Sequence, residues 1–133
     1  MARDKEQVTS DERKASIKTI LLVEDDANIG EVLVQAITQE TPYLPVLAAD
    51  GFEALNVVRG VRPNLLILDY QMPRMNGIEL YDQLHAIKAL EQVPAIMMSA
   101  RLPQQDLHKR KILGMNKPID LDEFLRTIEE LLT

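Results

Sequence analysis

Acidic side chains follow two short apolar runs of this 133-residue chain. The first run, ILLV, ends in Glu24, Asp25 and Asp26, and the second, LLIL, ends in Asp69. If both runs are buried strands of one parallel sheet, their carboxyl ends meet at one rim, and we expect the carboxylates to form one acidic pocket. Such a pocket can bind a hard divalent cation and can present one carboxylate as a nucleophile.

Two further polar side chains follow apolar runs downstream, Ser99 after AIMM and Lys117 after the run near residue 115. An ammonium and a hydroxyl at the same rim can bind phosphoryl oxygens, so Asp69 could accept a phosphoryl group as an aspartyl phosphate. Oxygen ligands without His or Cys favour magnesium, manganese or calcium over zinc. Taken singly, these residues are more often helix caps, turn residues or surface charges, and only their combination points to chemistry.

The elements that must position these side chains alternate along the chain. Five short, mostly apolar runs have the length of strands covered on both faces: residues 20–23, 46–49, 65–68, 95–98 and 112–115. Segments of helical period separate them and end in the clearest stripe, residues 121–132, which Asp120 and Glu123 open as a predicted capping box. The alternation predicts a doubly wound α/β fold with a parallel sheet and helices on both faces.

Composition restricts the class of protein. The hydrophobic content is 46%, which predicts one globular domain, and the net charge of -6 argues against direct binding to nucleic acid or membrane surfaces. The chain has no cysteine, and we find neither a signal peptide nor an apolar run of membrane-spanning length. These features predict a soluble cytoplasmic protein, with residues 1–16 as a flexible arm and residues 17–133 as the domain.

With these motifs in order, the chain resembles the response-regulator receiver domain of two-component signalling. The matching motifs are ILLVEDD at 20–26, LILDYQMP at 66–73 with Gly77 beyond it, MSA at 98–100 and KP at 117–118. They cover nearly everything after the arm, and each lies at the end of a predicted strand. The resemblance implies a flavodoxin-like fold, a five-stranded parallel sheet in the order 2-1-3-4-5.

The resemblance also implies roles for the acidic residues. Asp69 is the expected phosphoacceptor and a ligand of magnesium, with Asp25 as the direct protein ligand. Glu24 is the second acid, acting mainly through a metal-bound water, and Gln71 is expected to offer its backbone carbonyl. Asp26 lies one position past the matching pair, so we expect it to cap the first helix instead.

For the remaining site residues, the resemblance implies that Ser99 and Lys117 contact the phosphoryl group, with a Lys117–Pro118 bond that is often cis in the family. A receiver is a signalling domain rather than an enzyme. Its expected partners are a sensor histidine kinase or phosphotransfer protein upstream and a protein target downstream, with the receiver as a monomer or a phosphorylation-linked dimer. We assign no phosphotransfer role to His85 or His108.

Two features depart from the family pattern. The segment 99–117 is short by roughly one helical turn, which predicts a shortened or irregular fourth helix near residues 104–110. Gly114 stands three positions before the lysine, where receivers usually carry an aromatic residue that moves on phosphorylation. Because glycine has no side chain to move, we expect output to use another face or to respond weakly to phosphorylation.

Two other functions remain as alternatives. A receiver-like interaction module that is never phosphorylated would suit Gly114 and the short fourth helix, but not the intact set of acids, Ser99 and Lys117. A haloacid-dehalogenase-like phosphatase would need a second acid two residues after Asp69, and that position holds Gln71. The chain ends directly after the last predicted helix, which suits both a stand-alone regulator and a piece of a longer protein.

Overall fold

A computed structural model describes residues 17–133, so the predicted arm, residues 1–16, lies outside the described residues. Five parallel strands form one sheet in the order β2-β1-β3-β4-β5. They are β1 (Thr19–Val23), β2 (Leu44–Ala48), β3 (Leu65–Asp69), β4 (Ala95–Ser99) and β5 (Leu113–Asn116). The predicted fold class and strand order are confirmed.

Within residues 17–133, five α-helices connect or follow the strands: α1 (Ala27–Glu40), α2 (Gly51–Val57), α3 (Gly77–His85), α4 (Gln104–Arg110) and α5 (Leu121–Leu132), with a 3-10 turn at Lys88–Leu90. Asp26 caps α1 as predicted, accepting from the backbone N–H groups at positions 28 and 29. Asp120 accepts from the Glu123 N–H, which is one half of the predicted capping box. Among the described helices none is long and apolar enough to cross a membrane.

The sheet buries both of its faces, which is why its strands are apolar throughout. On one face, α1 and α5 bring Leu33, Ile37 and Phe124 against β1 and β3. On the other face, α2, α3 and α4 contribute a second core that includes Leu84 and Leu107. All five residues of β3 are buried, so the strand that ends in the predicted phosphoacceptor lies at the centre of the fold.

The fourth helix is short, as predicted, and regular. It spans seven residues and ends at Lys111, whose φ of 57° is left-handed and lets the Ile112 N–H bond the Leu107 carbonyl. The Arg110 guanidinium ties the helix to α3 through two hydrogen bonds to Asp82, with N–O distances of 2.7 and 2.8 Å. A shortened helix is therefore held by a specific ion pair.

The two edge strands differ from their predicted bounds. β2 begins at Leu44, earlier than its apolar run suggests, and includes Pro45, which lies opposite Ile20. β5 begins one residue later than predicted, at Leu113, which is 47% exposed. The three central strands match their predicted positions more closely.

Candidate functional site

Asp69 is the last residue of β3 and is almost fully buried. Beyond it the chain stays on the sheet, because the Tyr70 N–H bonds the Met98 carbonyl, and then turns back as the Gly77 N–H bonds the Tyr70 carbonyl. A Cβ at position 77 would lie 2.5 Å from the Asp69 carbonyl oxygen and 2.5 Å from the Met97 sulfur. Glycine there allows the first turn of α3 to lie against the end of β3.

The structure brings three of the predicted acids together. Glu24, Asp25 and Asp69 each offer a carboxylate oxygen, and these oxygens all lie within 4.8 Å of one another. Glu24 is buried, whereas Asp25 is exposed at the mouth of the site. Asp26 takes no part in this group and caps α1, as expected from its position.

Lys117 joins the two buried acids. Its Nζ lies 2.7 Å from Glu24 Oε1 and 3.1 Å from Asp69 Oδ1. The backbone positions this side chain, since the Lys117 N–H bonds the Ser99 carbonyl. The Lys117–Pro118 bond is cis. The predicted lysine therefore lies within hydrogen-bond distance of the predicted phosphoacceptor.

The Asp69 carboxyl group is hard to ionise in this setting. Burial, followed by the neighbouring Glu24 and Asp25, raises its pKa to about 7, against an opposing effect of the Lys117 ammonium. For Lys117, burial lowers the pKa, but the hydrogen bonds to Glu24 and Asp69 outweigh it and the net pKa is raised. Two buried carboxylates therefore share one ammonium, and the Asp25 carboxylate lies beside them.

The donor set fits a hard divalent cation. When ionised, three carboxylates and one ammonium leave two negative charges unbalanced, which a divalent cation would neutralise. All the donors are oxygens, which suits magnesium better than zinc. Asp25, Glu24 and Asp69 are the side chains that would hold it. The predicted contribution of the Gln71 carbonyl, from the loop two residues after Asp69, stays a prediction.

Ser99 closes the rim on the β4 side, and its hydroxyl is already engaged. The buried Oγ donates to the Arg101 carbonyl over 2.9 Å and accepts from the Arg101 N–H over 3.0 Å. The sequence predicted Ser99 but not this local partner. The sequence signal for it was slight, because a Ser hydroxyl can bond the backbone two residues on whatever residue stands there.

The two histidines lie away from the site. His85 stacks on Tyr81, and its Nε2 lies 2.9 Å from the Val93 carbonyl oxygen. His108 is exposed on α4. That neither histidine takes part in phosphoryl transfer stays a prediction.

The family is decided by comparison with known proteins. The model of the response regulator receiver domain matches residues 20–129, most of the chain. The chain belongs to the response-regulator receiver family. The resemblance drawn from the sequence motifs is thereby confirmed, and the receiver has relatives among both curated proteins and solved structures.

Among curated proteins, the receiver is 34% identical over 114 residues to the Regulator of RpoS of Escherichia coli, covering 86% of this chain and 32% of that protein. It is 35% identical over 101 residues to the DNA-binding response regulator MtrA of Mycobacterium tuberculosis, covering 76% and 41%. The chain thus spans less than half the length of these relatives. In structure it resembles the Vibrio cholerae chemotaxis protein CheY4, with a TM-score of 0.81, 25% identity, and coverage of 88% of this chain and 100% of that chain.

Proposed function

We propose that this receiver accepts a phosphoryl group on Asp69 in a two-component phosphorelay in the cytoplasm. The observation that carries the proposal is the position of Asp69, buried at the end of β3 with Lys117 Nζ 3.1 Å from its carboxylate and two further carboxylates within 4.8 Å. This geometry suits a nucleophile and the neutralisation of phosphoryl charge better than a structural ion pair, because the acids outnumber the cation.

In the proposed reaction, an Asp69 carboxylate oxygen forms a bond to phosphorus while the bond from phosphorus to a donor histidine nitrogen breaks. The imidazole leaves with that electron pair and takes up a proton from solvent. Lys117 exchanges one of its present partners for a phosphoryl oxygen as a point charge. The Ser99 hydroxyl turns from the Arg101 carbonyl to another phosphoryl oxygen. Magnesium, when bound by the acids, supplies charge neutralisation at the phosphoryl oxygens.

A protein donor is supported by an apolar groove beside the site. The groove has a volume of about 360 Å³ and is lined by Ile29, Val32, Pro118 and Leu121, and also by Lys117, which it shares with the site. Val32 is 52% exposed. A histidine kinase or phosphotransfer protein seated in this groove would hold its phosphohistidine near Asp69, and the phosphorylated receiver would then act on a downstream protein.

The phosphoacceptor is tested by the mass of the intact protein after incubation with acetyl phosphate. The wild type is expected to gain one phosphoryl group in the presence of magnesium and none after chelation. Asp69→Asn should gain none, whereas Asp26→Asn, which changes the neighbouring helix cap outside the acid group, should still be modified. An unmodified wild type would reject the proposal and favour the interaction module that is not phosphorylated. An adduct that survives in Asp69→Asn would reject Asp69 as the phosphoacceptor.

The donor groove is tested separately by comparing two donors. Val32→Glu should slow transfer from a purified phosphohistidine-bearing phosphotransfer domain while leaving labelling by acetyl phosphate unchanged. Phe52→Glu is the matched control, because Phe52 is exposed to a similar extent, 49%, but does not line the groove. Equal slowing by both substitutions would argue against docking in the groove.

A further inference from the structure

The space above Gly114 is filled. The register pairs Gly114 with Met97, which belongs to the core on the side of α2, α3 and α4. A Cβ built on Gly114 would lie 2.8 Å from Leu102 Cδ1 and 3.0 Å from Leu107 Cδ1. Two leucines therefore occupy the place that a larger side chain at position 114 would need.

Leu102 differs from Leu107 in what it is attached to. Leu107 is buried within α4, whereas Leu102 is partly buried in the connection between β4 and α4, three residues after Ser99. Arg101, directly before Leu102, is the residue whose backbone N–H and carbonyl both bond the Ser99 hydroxyl. The position of Leu102 and the engagement of Ser99 are therefore parts of one short segment, residues 99–102.

Ser99 cannot keep both of its present contacts and also bind a phosphoryl group. A hydroxyl has a single proton to donate, and here that proton goes to the Arg101 carbonyl. Donation to a phosphoryl oxygen on Asp69 requires this bond to break. The peptide at Arg101 then loses a partner, and the next residue, Leu102, is the side chain through which that change reaches the sheet.

We propose that Leu102, seated on Gly114, is the positioning residue that holds the Arg101 backbone against the Ser99 hydroxyl and shifts when Asp69 is phosphorylated. The inference rests on the proposed function and assigns to a loop leucine the task for which Gly114 has no side chain. It differs from the expectation, drawn from Gly114 alone, that this region responds weakly. The exposed surface at Leu113 and Gly114 lies directly beside the shifting residue.

The first test uses the wild-type chain, residues 1–133, labelled at leucine methyl groups and backbone amides. During titration with beryllofluoride and magnesium, the Leu102 methyl and Gly114 amide signals are expected to shift with the same midpoint as the Tyr70 amide, next to Asp69. The Leu44 methyl signals, at the amino end of β2 and away from the rim, serve as the reference.

The titration separates this inference from the proposed function. A shift at Tyr70 with static signals at Leu102 and Gly114 would overturn the inference alone. An absence of any shift at Tyr70 would contradict the proposed function, and the inference would fall with it.

The second test first crowds the space above Gly114, which Leu102 fills, and then removes the Leu102 side chain from it. Gly114→Ala should displace Leu102 and move the Arg101 amide signal in the protein without beryllofluoride or magnesium. The double variant Gly114→Ala/Leu102→Ala should return that signal towards its wild-type position, since the added methyl then has room. If thermal melting shows that Gly114→Ala is folded and its Arg101 signal is unchanged, Leu102 does not fill the space above Gly114 as proposed.

Leu102→Ala tests positioning against a purely structural role. Without the Leu102 side chain above Gly114, Arg101 is held less firmly and the Ser99 hydroxyl is released more readily. Beryllofluoride should therefore bind about fivefold tighter, which is at the low end of typical coupling between sites. Leu102→Met, which refills that space, should restore the wild-type affinity. An affinity that stays at the wild-type value in Leu102→Ala would overturn the proposal.

Discussion

Two groups of charged side chains in this receiver each place one cation among acids. In one group the pKa of an acid is raised, and in the other it is lowered. At the rim, Lys117 serves two buried acids, and the pKa of Asp69 is raised to about 7. Between α3 and α4, Arg110 serves Asp82 and Asp106, and the hydrogen bond from Arg110 holds the pKa of Asp82 below its usual value.

The difference lies in burial and crowding rather than in the presence of a cation. Glu24 and Asp69 are withdrawn from water and lie close together, so ionising both is costly. Asp82 is half exposed and receives two hydrogen bonds from a planar guanidinium. The Arg110 group is a partly exposed set of ion pairs that holds α4 to α3. The Lys117 group keeps buried negative charge that a cation could neutralise and a phosphoryl group could use.

The largest contrast is expected when each cation is removed. Lys117→Met leaves two buried carboxylates without an ammonium and should lower the free energy of unfolding by about 2–3 kcal/mol, somewhat below a fully buried pair because Lys117 is partly exposed. Arg110→Met should cost about 1 kcal/mol, since water can solvate its partners. Urea unfolding in EDTA at pH 7 measures both values, and equal losses would remove the distinction.

Neutralising an acid should have opposite effects in the two groups. Asp69→Asn is expected to stabilise the metal-free protein by about 2 kcal/mol at pH 8. A pKa shift is worth about 1.4 kcal/mol per unit, and we expect only a part of the full shift because Asp69 and its neighbouring acids share protons. Because the folded pKa of Asp69 lies above its ordinary 3.8, wild-type stability falls as pH rises between these values. The gain should therefore nearly vanish at pH 4. Urea titrations in EDTA at both pH values test this, and a gain independent of pH would contradict it.

The end of α4 carries backbone strain at Lys111, in addition to the ion pairs of Arg110. Lys111→Gly should stabilise the protein by about 1 kcal/mol, because glycine adopts the left-handed conformation at φ 57° without the steric cost that a lysine Cβ incurs. Lys109→Gly, within α4, is the matched control and should destabilise by about 1 kcal/mol. Thermal and urea unfolding measure both changes, and equal destabilisation by the two substitutions would exclude strain at Lys111.

The smallest effect is expected at Asp82. Asp82→Asn should cost less than about 1 kcal/mol at pH 7, as for other exposed ion pairs. Because the folded pKa of Asp82 lies below 3.8, its contribution is fully present above that pH and is lost as pH falls through the folded pKa. The variant and the wild type should therefore converge in acid, and a constant difference down to pH 2 would point to packing instead.

The rim could be predicted from the sequence because the topology of a parallel sheet determines which strand ends meet. In a parallel sheet the strand ends meet, so runs that finish in Glu24, Asp69 and Lys117 must deliver those side chains to one place. The order β2-β1-β3-β4-β5 followed from the motifs through the family resemblance, and Asp26 was separated from the other acids by its position at a helix start.

The rest depends on contacts that no local pattern signals. Asp82 and Arg110 are 28 residues apart and meet only because α3 and α4 pack side by side. The occupation of the space above Gly114 by Leu102 depends on the path of an irregular loop. The early start of β2 was missed because Pro45 reads as a strand breaker, although a proline is tolerated at the edge of a sheet.

Pro45 also determines how the sheet can be extended. Because proline has no N–H, the outer side of β2 offers an interrupted row of donors to any further strand, which disfavours growth of the sheet from that side. The outer side of β5 carries no such block among its four residues, Leu113–Asn116. Strand addition, whether by a binding peptide or by self-association at high concentration, would therefore proceed from β5 and leave β2 as the terminating edge.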